Sequence, residues 1–189
     1  MIKIKIGMQK LRVENYITYI KNEEDVPYLR TQLLDVNMWF YNNKKNPIYH
    51  SIIKNCCDYI RFIALQEMEG YKKPHGMSGA NVGIPFNIIG VVRNRDKDNE
   101  FCEIMINPKI TRSSAEKEMG LTNCGSIRLA EPINVQRSKC IDLEWYNEEG
   151  VRCYQRNIKK SDGGFTIQHE VEHNLGILII DLVPADLPF

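Results

Sequence analysis

The 189-residue sequence has no long apolar run and no excess of charge of either sign. No segment approaches the ~18 consecutive apolar residues of a membrane-spanning helix, so we expect no association with a membrane. The 25 basic and 24 acidic residues leave a net charge of +1, which gives no electrostatic reason to expect direct nucleic-acid binding. Residues 1–7 alternate lysine with isoleucine and do not form the apolar core of a signal peptide, which favours a cytoplasmic protein.

The six cysteines include no Cys-x-x-Cys pair, and the chain shows no linker, repeat or low-complexity tract. Scattered cysteines without a secretion signal indicate reduced thiols, most of them small core residues, with one available as a metal ligand. A chain of this length and ordinary composition fits one domain with a proper core. We therefore expect residues 1–189 to form a single domain.

The apolar pattern of the chain predicts helices and hairpins in an order typical of α+β proteins. Residues 51–69 carry apolar side chains at helical spacing and end at Gly70, and a shorter helical pattern covers residues 8–20. Two pairs of apolar, partly β-branched runs predict hairpins, at residues 86–92 with 101–106 and at residues 139–146 with 151–158. This order favours an α+β fold over alternating βαβ units.

The strongest signal for function is the pentapeptide His169-Glu170-Val171-Glu172-His173, which holds two of the chain's four histidines. On a helix, side chains four residues apart lie on one face, so both imidazoles can reach a single metal ion. Glu170 can then point toward a water beside that metal and act as a base, as in metal-dependent hydrolases. The alternative is a chance match on a surface helix.

A catalytic metal usually takes three protein ligands and leaves one position for water. Cys124 is the best candidate for the third ligand, because it lies in a short polar loop where Gly125 lets the backbone approach a ligand closely. A structural role is the alternative for this cysteine. Residues 76–84 form a second loop, whose small residues suit either contact with a substrate or a flexible turn. This loop lacks the Gly-Lys-Ser/Thr ending of a phosphate-binding loop.

Taken in this order, the three segments resemble the peptide deformylase family. The family's motifs are Gly-Leu-Ala-Ala-x-Gln-x-Gly, Glu-Gly-Cys-Leu-Ser and Gln-His-Glu-x-Asp-His, and the corresponding residues here are 76–83, 122–126 and 168–173. The resemblance implies an α+β, deformylase-like fold, in which antiparallel sheets surround a central helix that carries the His-Glu-x-x-His motif. Residues 1–48 are expected to form an N-terminal extension of this domain.

The resemblance also implies a metal centre. Cys124, His169 and His173 would bind one divalent ion. Fe(II) is the expected native metal, and zinc or nickel are alternatives that the same sulfur and imidazole donors accept. Glu170 would take a proton from water and later give it to the departing amine. Glu172 stands where the family has aspartate, and its longer side chain could reposition a ligand histidine.

The implied substrate is an N-formyl-methionyl peptide, whose hydrolysis releases formate and a free amino terminus. The backbone N–H of Gly125 and the side-chain amide of Asn81 would stabilise the oxyanion. The backbone at Gly76 would pair with the extended substrate, and Phe165 or Thr166 would line the methionine pocket. Core packing is the alternative for Phe165. Formylated chains occur wherever bacterial-type translation runs, so a bacterial cytoplasm, an organelle or a virus-infected cell would fit, and association with the ribosome is compatible with this role.

Several positions depart from the family's pattern. Asn81 is one methylene shorter than the family's glutamine. Because a missing oxyanion donor lowers the rate by about a hundredfold, we expect reduced activity rather than none. Thr122 replaces a glutamate that in relatives orders an arginine, so Arg128 or Arg137 is expected to lack that partner. Prolines in residues 182–189 exclude a long C-terminal helix there, which many bacterial members have.

Two other functions compete with an active deformylase. One is a weakened or inactive relative that keeps the metal and binds peptide amino termini, which the shorter side chain of Asn81 motivates. The other, ranked lower, is a metalloprotease, which would share the two histidines and the glutamate. A metalloprotease usually takes its third ligand downstream of the motif, where only Asp181 and Asp186 are available and no histidine follows His173.

Overall fold

The computed structural model describes residues 29–43, 46–66, 74–127 and 132–183. Within these ranges the helices and strands are α1 (Met38–Asn42), α2 (Pro47–Ala64), β1 (Gly76–Ser78), β2 (Ile88–Arg93), β3 (Phe101–Ser113), β4 (Lys117–Thr122), β5 (Ile133–Ser138), β6 (Cys140–Tyr146), β7 (Arg152–Lys159) and α3 (Gly164–Asn174). Short 3₁₀ helices lie at Ala80–Val82, Lys160–Asp162 and Ile179–Leu182. The predicted helix at residues 8–20 and the residues after 183 lie outside the described ranges.

The described strands form two antiparallel sheets. Five strands pair in the order β1-β2-β3-β6-β7, and β4 pairs with β5. Both predicted hairpins are present, as β2-β3 and β6-β7, but β3 continues past the predicted end at residue 106. Asn107 adopts a positive φ of 53°, which asparagine tolerates, and the register shifts between Ile106 and Lys109. The resulting bulge lets β3 turn and pair with β6.

The prediction for the long helix was wrong at both ends, because α2 runs from Pro47 to Ala64. The side chain of Asn46 accepts a hydrogen bond from the backbone N–H of Tyr49 at 3.2 Å. Pro47 occupies the first helical turn, where its missing N–H does no harm. The helix therefore starts about one turn earlier than predicted. The helix also stops before the expected glycine, with Leu65 as its C-cap.

The two long helices pack on opposite faces of the five-stranded sheet. Side chains of β2 alternate between the faces, with Ile88 and Val92 toward α2 and Ile89 and Val91 toward α3. Fully buried isoleucines such as Ile88 stabilise the fold by about 1.5–3 kcal/mol each. The first core packs α2 against the sheet, and the second, which includes Ile167 and Val171, packs α3 against the other face. The α+β prediction of antiparallel sheets around a helix with the histidine motif is thereby confirmed.

A third apolar core collects residues from several separate parts of the described chain. Its buried residues include Leu29, Ala80, Cys124, Val135 and Leu178. This core joins the first 3₁₀ helix, the cysteine loop and β5, so it fixes the loop that carries the cysteine. No helix within the described ranges combines the length and the apolar character needed to cross a membrane. The division into one domain with an extension over residues 1–48 stays a prediction.

Candidate active site

Two buried amides tie α3 to both sheets. The Gln168 Oε1 accepts a hydrogen bond from the backbone N–H of Ser138, and its Nε2 donates to the carbonyl of the same residue, both at 3.0 Å. At the other end of the helix, the Asn174 Nδ2 donates to the backbone carbonyl of Ile88 at 3.2 Å. A helix held at both ends cannot rotate about its axis. The direction of the side chains in the histidine motif is therefore set by the sheets.

The structure brings Cys124, His169 and His173 together. The Nε2 atom of His173 lies 3.2 Å from the Sγ of Cys124 and 3.2 Å from the Nε2 of His169. All three donor atoms lie within 4.8 Å of one another. Tetrahedral ligands at typical metal–ligand distances of about 2.0–2.3 Å lie roughly 3.4–3.6 Å apart. The spacing of these donors therefore fits one divalent ion.

The protonation states of the three groups also suit the binding of a cation. Burial lowers the pKa of His173 to about 4 and holds the pKa of His169 well below its ordinary value, so both rings keep a free lone pair at neutral pH. Burial also raises the pKa of the Cys124 thiol to about 12, so this thiol loses its proton only where a cation compensates the thiolate. A divalent ion supplies that compensation.

Glu170 is buried next to His169 and has an unused carboxylate oxygen. The residue is only 4% exposed, and its Oε2 has no hydrogen-bond partner among the described residues. Burial raises the pKa of this carboxyl to about 8, an effect that Arg137 opposes and Glu172 increases. A carboxyl with a free oxygen and a pKa near neutrality is suited to proton transfer.

We expect Glu170→Gln to raise the melting temperature of the metal-free protein, and to raise it more at higher pH. The pKa of about 8 in the folded protein lies above the ordinary value of 4.5, so the wild-type protein loses stability as the pH rises between these values. Glutamine does not titrate, so its advantage should grow over this window and reach about 10 °C near pH 8. Thermal melts in chelator at about pH 5 and pH 8 measure this difference, and equal advantages at both pH values would contradict it.

Asn81 lies in a buried network with two serines. Its Oδ1 accepts hydrogen bonds from the backbone N–H and the hydroxyl of Ser78, at 2.8 and 2.7 Å, and its Nδ2 donates to the Oγ of Ser126 at 2.7 Å. Ser126 follows Cys124 by two residues, so the network connects the glycine-rich loop to the cysteine loop. Gly125 is exposed, and a methyl group added there would meet no described atom within 4 Å. The backbone at Gly125 therefore borders open space.

Gly76 approaches α3 so closely that a larger residue would not fit. A methyl group added there would lie 2.6 Å from the Cγ2 of Thr166 and 2.9 Å from the Glu170 side chain. Thr166 also lines a cleft of about 630 Å³, together with His75 and Lys160 among other residues. The β1 backbone, the carboxylate and this cleft therefore adjoin one another.

Comparison with known proteins identifies the family of this chain. The family model described as "Polypeptide deformylase" matches residues 44–186, which is more than half of the chain. The chain belongs to the polypeptide deformylase family. The family resemblance of the three motifs is thereby confirmed.

Individual relatives agree with this deformylase assignment. The peptide deformylase of Pseudothermotoga lettingae is 29% identical over 114 residues, which cover 60% of this chain and 61% of that protein, less than two thirds of its length. The peptide deformylase of Synechocystis sp. is 30% identical over 132 residues, which cover 69% of this chain and 69% of that protein.

Solved deformylase structures share the fold. A probable peptide deformylase from Synechococcus phage S-SSM7 superposes with a TM-score of 0.66 at 23% identity, over 88% of this chain and 98% of that chain. An actinonin-bound class I type b peptide deformylase from Acinetobacter baumannii superposes with a TM-score of 0.64 at 19% identity, over 89% of this chain and 97% of that chain.

Phe165, which the deformylase resemblance places at the methionine pocket, lies in the first turn of α3, and its ring faces β4. A Cβ atom on Gly120 would collide with the Phe165 ring, and the Lys160 Nζ lies 4.8 Å from the centre of that ring. The ring is half-buried and belongs to none of the three apolar cores. The role of Phe165 at the methionine pocket stays a prediction.

Arg137 lacks the glutamate that Thr122 replaces, as expected, but it has another carboxylate partner. Its Nη2 donates to the Oε2 of Glu172 at 2.5 Å and lies 3.2 Å from the Nδ1 of His169. The signal was present in the sequence, because the family's carboxylate is missing at Thr122 while the side chain at 172 is one methylene longer than the family's aspartate. Arg128, the other candidate, lies outside the described residues.

Proposed function

We propose that this chain is a metal-dependent hydrolase that removes the formyl group from N-formyl-methionyl peptides. The observation that carries the proposal is the convergence of Cys124, His169 and His173 beside Glu170, a buried carboxyl with one unused oxygen. Relatives named peptide deformylases support the same reaction here. The expected setting is the cytoplasm, or an organelle or infected cell with bacterial-type translation, where nascent chains at the ribosome would supply the substrate.

The metal would be held by the Sγ of Cys124 and the Nε2 atoms of His169 and His173. Fe(II) is the expected ion, with zinc or nickel as alternatives, because this mixed sulfur and imidazole set accepts all three. When bound, such an ion acts as a Lewis acid and makes nearby water a stronger acid.

Glu170 would move the proton. Its unpartnered Oε2 takes a proton from the attacking water, whose oxygen forms the new bond to the formyl carbon. The same carboxyl then gives that proton to the peptide nitrogen as the C–N bond breaks. The products are formate and a free amino terminus. Negative charge that develops on the formyl oxygen would be met by the Nδ2 of Asn81 and the N–H of Gly125.

The outer edge of β1, which is an edge strand among the described residues, would hold the peptide backbone. His75 and Gly79 bond to β2, through Val92 N to His75 O and Gly79 N to Ile88 O, each at 2.9 Å. Alternation along an antiparallel strand turns the N–H and C=O of Gly76 outward, away from β2. An extended peptide can add to this edge. Its later residues would run from the metal site toward His75 and the cleft that Thr166 lines, with Phe165 as a wall of the methionine pocket.

The decisive experiment measures formate release from formyl-Met-Ala-Ser. The protein is purified without oxygen, loaded with Fe(II) or Ni(II), and assayed beside the metal-free form. We expect turnover with the metal and none without it. Absence of formate from protein that carries one metal per chain would overturn the proposed activity.

We expect Asn81→Ala to lower kcat by about 10²–10³-fold, because it removes one of two proposed oxyanion donors. Ser126→Ala is the matched control, since it removes the acceptor of the Asn81 Nδ2 but keeps the amide. The control should lose less than about tenfold. Steady-state kinetics with formyl-Met-Ala-Ser compares the two variants. Equal losses would assign Asn81 a packing role and leave the oxyanion to Gly125.

The alternative of a weakened or inactive peptide-binding relative is tested by the same assay. Asn81 is 6% exposed and bonded on both sides of its amide, so a longer glutamine would have to displace a serine. An Asn81→Gln variant that turned over faster than the wild type would identify a weakened enzyme. The metalloprotease alternative loses support, because among the described residues the group that could hold a metal together with the two histidines is the upstream Cys124.

A further inference from the structure

Arg137 is a buried cation whose position at the site calls for an explanation. Its side chain is 2% exposed, and its Nη2 contacts both the Oε2 of Glu172 at 2.5 Å and the Nδ1 of His169 at 3.2 Å. Burying a guanidinium and a carboxylate together seldom adds net stability, because desolvation offsets their attraction. The Nε of the same arginine has no hydrogen-bond partner among the described residues.

The Arg137–Glu172 ion pair contacts His169, a candidate metal ligand, at its Nδ1 atom. His169 and Glu172 lie three residues apart on α3 and therefore share one side of the helix. Arg137 lies on β5, and its guanidinium contacts both of these side chains. The Nε2 of His169 faces His173, so contact at Nδ1 controls how the ring can turn about its side-chain bond. The Nδ1 of His173 has no hydrogen-bond partner among the described residues, but this residue is only 1% exposed and is held by packing.

We propose that Arg137 and Glu172 form a positioning pair that fixes the His169 ring for metal binding. Glu172 anchors the guanidinium, and the guanidinium fixes the ring plane. This inference rests on the metal site of the proposed function. A merely structural role for the pair, as a tie between α3 and β5, is already supplied by Gln168, which makes two hydrogen bonds to Ser138.

The test measures metal binding without turnover. Metal-free protein is titrated with Co(II) against a competing chelator, and the visible spectrum of the bound ion reports the geometry of its ligands. Glu172→Gln keeps the shape of the side chain and removes the charge. We expect it to weaken Co(II) binding by about 10–100-fold and to change the spectrum. Arg137→Lys keeps the positive charge but lacks the planar guanidinium, and it should change the spectrum in the same way.

Two further variants separate positioning from stability. Glu172→Asp keeps the carboxylate and should recover part of the lost affinity. Glu148→Gln breaks a more exposed ion pair, with Arg61 on α2, which lies across the sheet from the metal site. It should leave Co(II) affinity within about twofold of the wild type, even where it lowers the melting temperature.

The outcomes are distinct from those of the formate assay. Wild-type affinity and an unchanged spectrum in both Glu172→Gln and Arg137→Lys would overturn the positioning role, and so would an equal loss in Glu148→Gln. Wild-type protein that binds no Co(II) would overturn it together with the metal site. Protein that binds Co(II) with the expected differences but releases no formate would support the pair and overturn only the proposed reaction.

Discussion

Glu170→Gln is expected to lower kcat for formate release by about 10²–10⁴-fold while the protein still binds one metal per chain. The variant keeps the size of the side chain but cannot accept a proton at neutral pH. Glu170 is 4% exposed, and its Oε2 has no partner among the described residues, so the substitution breaks no hydrogen bond of that oxygen. A large loss of rate would then report the chemistry of the carboxyl and not a loss of structure.

Metal content and melting temperature must accompany this rate measurement. Glu148→Gln serves as the control, because it removes a carboxylate from the far side of the sheet and should keep the wild-type rate. Turnover of Glu170→Gln within about tenfold of the wild type would assign the proton transfer to another group. Among buried polar groups near the metal site, none other in the described residues combines a carboxyl with an unused oxygen.

Much of the framework followed from local pattern. Alternation and turn residues predicted both long hairpins, because each strand pairs with its neighbour in the chain. The extension of β3 beyond residue 106 was missed, since Asn107-Pro108 resembles a strand end in sequence. In the structure the Asn107 amide bonds to the backbone of Val36, with Oδ1 accepting at 2.7 Å and Nδ2 donating at 2.8 Å. A contact between residues 71 positions apart cannot be read from local sequence.

The short hairpin of β4 and β5 was not predicted at all. Lys117–Thr122 exposes Met119 and Leu121, so its apolar residues do not mark the buried face. Gly120 faces Phe165 and has no side chain to reveal the contact. Burial on this strand depends on a helix more than 40 residues later, so sequence periodicity carried no signal.

At the candidate site, the spacing of residues in the sequence predicted the metal-donor groups but not the residues that orient the side chains of the site. The histidine motif depends only on helical geometry, and the cysteine followed from its loop and the family resemblance. The serines that hold Asn81 and the Arg137–Glu172 pair are tertiary contacts between separate elements. Such contacts decide whether side chains of the right chemistry also have the right orientation.

Cys124→Ala is expected to weaken metal binding by at least about a hundredfold and to abolish formate release. The Sγ of Cys124 lies 3.2 Å from the Nε2 of His173, and it is the one group of the three that would bring negative charge to the ion. Two neutral imidazoles are a poor substitute for a set with a thiolate.

Cys102→Ala is the matched control for this prediction, because Cys102 is also 5% exposed but lies in the core between the sheet and α2. Both variants lose a buried sulfur, so both should lose stability without metal. Only Cys124→Ala should also lose the rise in melting temperature that added metal gives the wild type, since a ligand stabilises only the protein that binds it. Elemental analysis after dialysis against buffered metal measures the content directly. One tightly bound metal per chain in Cys124→Ala would show that a group other than Cys124 completes the metal site with the two histidines. Cys124 would then have only a core-packing role.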